Sequence, residues 1–72
     1  MRYGFGVDIG GTTVKIAWFD ENSQKLHSWE IPTVRENEGK QILPDIAAAL
    51  RGFLAERDVN RADVIGIGVG VP

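Results

Sequence analysis

Tyr3, Phe5, Val7 and Ile9 alternate with Gly4, Gly6, Asp8 and Gly10, so one side of this stretch is bulky and the other nearly bare. A period of two belongs to an extended strand, whose successive side chains point to opposite faces. The pattern predicts a first strand from about Arg2 to Ile9. Beyond Gly10 and Gly11 the chain is again β-branched and aromatic: Val14, Ile16 and Trp18 alternate with Lys15, Ala17 and Phe19. That predicts a second strand at about Thr13 to Phe19, with both faces largely apolar. Asp20-Glu21-Asn22-Ser23 has the composition of a turn, with Asn22 suited to a left-handed conformation. A third strand of about Lys25 to Ile31 follows, closed by Pro32, which has no N–H to give a ladder.

After the polar stretch Thr33 to Gly39 the period changes. Ile42, Ile46, Leu50 and Leu54 recur every fourth residue and are joined by Leu43, Ala47 and Phe53, one apolar stripe at helical spacing. The spacing predicts a helix over about Lys40 to Arg57, whose start near Lys40 or Gln41 keeps Pro44 in the first turn, where N–H groups lack intrahelical partners. Glu38 near the positive end, and Arg51 and Arg57 toward the negative end, agree with the helix dipole. The final run, Val64 to Val71, returns to the device of the first strand: Ile65, Ile67, Val69 and Val71 alternate with Gly66, Gly68 and Gly70. A helix between two strands implies a crossover, which lays the fourth strand parallel to an earlier one, naturally the first. Their bare faces then adjoin, so a helix, a ligand or another backbone is expected to come close to them, and for the fourth strand close helix packing is preferred over contact with a sugar. The fourth strand, or whichever strand lies at the edge, is also expected to expose unpaired backbone groups and an apolar face, which favours self-association or pairing with another chain.

Composition adds bounds. The chain has 72 residues, a net charge of -2, a hydrophobic share of 43% and no cysteine. A core of this size is marginal by itself. Without cysteine there is no disulfide, thiol catalysis or Cys-based zinc site in this segment, which fits a reducing, cytoplasmic setting. Gly4, Gly6 and Asp8 interrupt any signal-peptide-like run, and no stretch approaches the roughly 20 apolar residues of a membrane helix. Scattered Lys and Arg form no basic patch, so neither a nucleic acid nor a membrane is expected as a partner.

The candidate chemistry lies in Asp8-Ile9-Gly10-Gly11-Thr12-Thr13-Val14-Lys15. A carboxylate at a strand end can hold Mg²⁺ or its water. Glycine-exposed N–H groups and the Thr12 and Thr13 hydroxyls can meet phosphate oxygens. The glycines lead into a strand, which excludes the P-loop and the dinucleotide fingerprint, both of which lead into a helix. The structural alternative for Asp8 is a turn cap that accepts backbone N–H bonds. Lys15 reads as a solvated strand residue, His27 as structural or solvated, and Trp18 and Trp29 as core or cross-strand residues.

Asp8-Ile9-Gly10-Gly11-Thr12, then a hairpin strand, Pro32, a crossover helix and Gly66-Ile67-Gly68-Val69-Gly70-Val71-Pro72, resembles the amino-terminal part of the ROK family of sugar kinases. The Gly-Gly-Thr-Thr-Val-Lys form is similar to its bacterial glucokinase branch. The resemblance implies an α/β, ribonuclease-H-like (actin-like ATPase) mixed sheet, of which residues 1–72 would be an incomplete amino-terminal domain in the order β1-β2-β3-α1-β4. It implies phosphorylation of glucose or a related hexose with ATP and Mg²⁺. Asp8, Gly10, Gly11, Thr12 and Thr13 would bind the nucleotide phosphates, Asp8 would serve the metal, and Gly70 to Pro72 would begin the loop toward the sugar. Many relatives carry Lys directly after Gly-Gly-Thr; here Thr13 stands there and Lys15 follows two positions later. By the same resemblance the catalytic aspartate, the sugar-binding His and Glu and a Cys-rich zinc site would lie beyond residue 72, so no catalytic residue is expected in this segment and the isolated chain is expected to be inactive. Two other readings share the fold. A sugar-responsive transcriptional regulator carries a DNA-binding element before the Asp-Gly-Gly-Thr region, which the seven residues before Asp8 do not match. An actin-like kinase or ATPase with a non-sugar substrate is the other.

Overall fold

The computed structural model describes residues 2–70. Four strands form one sheet: β1 (Tyr3–Ile9), β2 (Thr13–Asp20), β3 (Lys25–Pro32) and β4 (Val64–Gly70). The helix α1 (Ile42–Glu56) lies between β3 and β4 in the chain, preceded and followed by the short 3₁₀ turns Glu36–Gly39 and Arg61–Asp63. The sheet order is β3-β2-β1-β4. β1 to β3 form an antiparallel meander, whereas β4 pairs with β1 in parallel, as a helical crossover requires.

Register decides which residues share a face. Phe5 stands opposite Trp18 and Val7 opposite Ile16, and Ile16 in turn faces Trp29. α1 covers this bulky face: Ile46, Leu50, Phe53 and Leu54 bury against Phe5, Val7, Val14, Ile16 and Trp18. Val14 and Ile16 are each only 1% exposed, so the core is centred on β2. Aromatic rings tie helix to sheet, with Phe53 stacked on Trp29 at 4.6 Å and edge-on to Trp18 at 5.2 Å. Both tryptophans therefore stand in or against the core, as expected. His27 is exposed, its ring stacked near that of Phe53 at 5.7 Å between centroids.

Three sequence expectations change. The left-handed residue in the β2–β3 turn is Ser23 (φ 63), not Asn22, because the Asp20 carboxylate accepts the N–H groups of Asn22 and Gln24 and sets the turn one residue later. Leu43 is 66% exposed despite its place in the stripe. It continues the flank of α1 formed by Ala47, Leu50 and Leu54, and that flank borders an open groove against Val64, Ile65 and Ile67 of β4. Finally, no helix packs over the glycines among the described residues. α1 occupies the opposite face, and a methyl group placed on Gly66 or Gly68 would meet open space. β4 is thus an edge strand with Ile65, Ile67 and Val69 each more than half exposed. Among the described residues no helix is long and apolar enough to cross a membrane.

Candidate functional site

The meander brings the turn between β1 and β2, the end of β3 and the end of β4 to one end of the sheet. β1 and β4 are parallel, so both carboxyl ends open there, and the chain leaves β1 away from β4, toward β2. In open α/β sheets this is where ligands bind. Asp8 and Gly70 are register partners in the parallel pair. A methyl group on Gly70 would stand 3.9 Å from Asp8 Oδ1, so the beginning of the motif and the end of the described chain adjoin. Pro72, the other residue expected near the sugar, lies outside the described residues, as does Val71.

The turn itself has a definite geometry. Gly10 N–H donates to Thr13 carbonyl at 2.9 Å, closing the turn on itself. A methyl group on Gly10 would fall 2.9 Å from that same oxygen, closer than a real side chain tolerates, so the chain's own backbone demands glycine there. Gly11 is different. A methyl group on it would meet nothing within 4 Å. Space is left open above the turn, where an approaching ligand could use it. Gly11 and Thr12 are exposed, and among the described residues neither of their N–H groups finds an acceptor in the chain. The Gly10 N–H that a capping Asp8 would take is given to Thr13 instead, and the exposed Asp8 carboxylate accepts no hydrogen bond among the described residues.

Asp8, Lys15 and Glu30 form one row across β1, β2 and β3, with Lys15 between the two carboxylates. They line an open groove of about 550 Å³ on the bare face, together with Gly6, Ser28 and Gly68. Sequence reading left Glu30 out of the site. Counting back from the β2–β3 turn would set Trp29 opposite Lys15; the register shift between Trp18 and Phe19 brings Glu30 there instead. Thr33 was missed as well. Its hydroxyl donates to the Gly10 carbonyl at 3.0 Å and its N–H donates to the Thr12 carbonyl at 3.0 Å. The meander makes this contact legible in retrospect, since the end of β3 must lie beside the start of β2.

Among the described residues no three His, Cys, Asp or Glu side chains gather as a metal site. Asp8, an exposed carboxylate beside a ligand-sized opening, fits Mg²⁺, which is usually held by one or two carboxylates plus substrate phosphates rather than by a protein cage.

The family model described as ROK family matches residues 4–72. The glucokinase of Halalkalibacterium halodurans is 41% identical over 71 residues, covering 99% of this chain and 22% of that protein. An N-acetyl-D-glucosamine kinase of Yersinia pestis is 35% identical over 72 residues, covering all of this chain and 25% of its own length. Among solved structures, a ROK family glucokinase from Streptomyces griseus in complex with glucose and AMPPNP superimposes with a TM-score of 0.67 and 32% identity, over 96% of this chain and 20% of that one. The chain thus spans about a fifth to a quarter of the length of the relatives it matches. Its β3-β2-β1-β4 sheet and single helix are part of the actin-like ATPase fold of sugar kinases. With the family match running from Gly4 through the Asp8 turn to the end of the chain, this protein belongs to the ROK family.

Proposed function

We propose that residues 1–72 form the amino-terminal, phosphate-handling part of a cytoplasmic ATP-dependent hexose kinase whose substrate is glucose. The observation that carries this reading is the turn after Asp8, where Gly11 leaves room that the chain itself does not use and Asp8 is not spent as a cap. In this reading the Gly11 and Thr12 N–H groups and the Thr12 and Thr13 hydroxyls bind phosphate oxygens, and Asp8 holds Mg²⁺ or its water. The bound metal would offset charge on the phosphates during transfer. The base that takes the sugar hydroxyl proton would come from outside this segment. Gly70, next to Asp8, would begin the chain's path toward the sugar.

Glucose is favoured by the higher identity to a glucokinase, 41% against 35% for the N-acetyl-D-glucosamine kinase. The second reading, N-acetyl-D-glucosamine, is separated by competing the two sugars in the complete protein that carries this segment. A larger kcat/KM for glucose supports the first. The phosphate role is tested by a chimera in which this chain replaces the matching segment of the Halalkalibacterium halodurans glucokinase. ATP-dependent turnover supports it, and a folded chimera without turnover contradicts it.

A further inference from the structure

We infer that Thr33 is a positioning residue that aims the backbone donors of the Gly10–Thr13 turn. A trans peptide is planar, with its C=O and N–H pointing in opposite directions. The Gly10 carbonyl and the Gly11 N–H belong to one such unit. By holding the Gly10 carbonyl at 3.0 Å, the Thr33 hydroxyl turns that oxygen toward the end of β3 and the Gly11 N–H away from it. Its backbone N–H holds the Thr12 carbonyl in the same manner, so one residue fixes two of the turn's peptide units. Gly11 has no side chain to anchor it, and the Gly10–Thr13 bond spans the turn without setting the tilt of the Gly10–Gly11 peptide. The part-buried hydroxyl supplies that restraint from 23 residues further along the chain. Donors held in place before a ligand arrives need no ordering when it binds, which lowers the cost of binding and of charge stabilisation.

The consequence for turnover rests on the phosphate-loop reading, while the clamp itself does not, so two measurements separate them. Thr33→Val keeps the shape and the backbone bond but removes the hydroxyl. In the 72-residue chain, the ¹⁵N order parameter of the Gly11 N–H, which shares its peptide unit with the clamped Gly10 carbonyl, is expected to fall from a rigid value of about 0.85 to below about 0.6 in this variant, with Val14 and Ile16 unchanged. Thr33→Ser, which retains the hydroxyl, is expected to restore the rigid value. In the chimera, Thr33→Val is expected to raise KM for MgATP about five- to tenfold with KM for glucose unchanged, and Thr33→Ser to recover it. An unaltered Gly11 order parameter in Thr33→Val overturns the clamp whatever the chimera does. An altered order parameter with unaltered KM for MgATP overturns its role in nucleotide binding. An unsubstituted chimera without turnover counts against the kinase reading, and the order parameter still decides the clamp.

Discussion

The N–H of Gly10 donates to the carbonyl of Thr13 at 2.9 Å, and a methyl group on Gly10 would collide with the oxygen it bonds. At Gly11, one residue on, a methyl group would meet nothing. Two adjacent glycines thus serve different ends. Gly10→Ala is expected to destabilise the chain by about 1–3 kcal/mol, because the turn must open or its hydrogen bond lengthen. Gly11→Ala is expected to stay within about 0.5 kcal/mol, as surface changes do, while lowering ATP-dependent turnover in the chimera. Urea denaturation of the two variants, followed by the tryptophan signal, checks the contrast.

The helix ends on a residue of the wrong type. Asp58 N–H donates to Ala55 carbonyl and Val59 N–H to Leu54 carbonyl, a Schellman motif, and Asp58 takes the left-handed conformation at φ 55 that glycine usually fills. Asp58→Gly is expected to stabilise the chain by about 0.5–1 kcal/mol, and a β-branched Asp58→Val to destabilise it by about as much or more. Thermal melts of the three proteins would show the order.

Phe53 joins the helix to the sheet. It stacks on Trp29, meets Trp18 edge-on and carries the Arg57 guanidinium over its ring at 4.3 Å. Phe53→Ala is expected to cost about 3–5 kcal/mol, enough to unfold a small domain, with loss of the near-ultraviolet tryptophan dichroism. Leu43→Ala, at a position 66% exposed, should leave that spectrum intact.

β4 exposes both a backbone edge and the side chains of Ile65, Ile67 and Val69. Such edges pair with other chains. The 72-residue chain is expected to self-associate at high micromolar concentration, and Ile67→Lys to reduce this, as read by light scattering. A monomer from micromolar to millimolar concentration would contradict it.

The elements were legible because their periods are clean. β1, β2, β3 and β4 begin and end within a residue or so of the expected bounds over the described residues, and α1 starts at Ile42, which keeps Pro44 in the first turn. What escaped depends on relations between elements. The exposure of Leu43 depends on how far along α1 the sheet reaches, which helical spacing alone does not contain. The left-handed Ser23 and Asp58 are set by hydrogen bonds of the turns around them. At the site, Asp8, the glycines and the threonines stand out by type and order. Thr33 and Glu30 do not, because a threonine after a strand and a glutamate within one are ordinary until register sets them beside Gly10 and Lys15.

In the proposed reading Asp8 serves a nucleotide and its metal rather than the turn. In the chimera, Asp8→Asn preserves size and the ability to accept a hydrogen bond while removing the charge. Steady-state kinetics with MgATP is expected to show a loss of kcat/KM on the order of 10²-fold or more, with the melting temperature of the chimera unchanged. Turnover within a few-fold of the unsubstituted chimera, or a lowered melting temperature that accounts for the loss, would contradict the assignment.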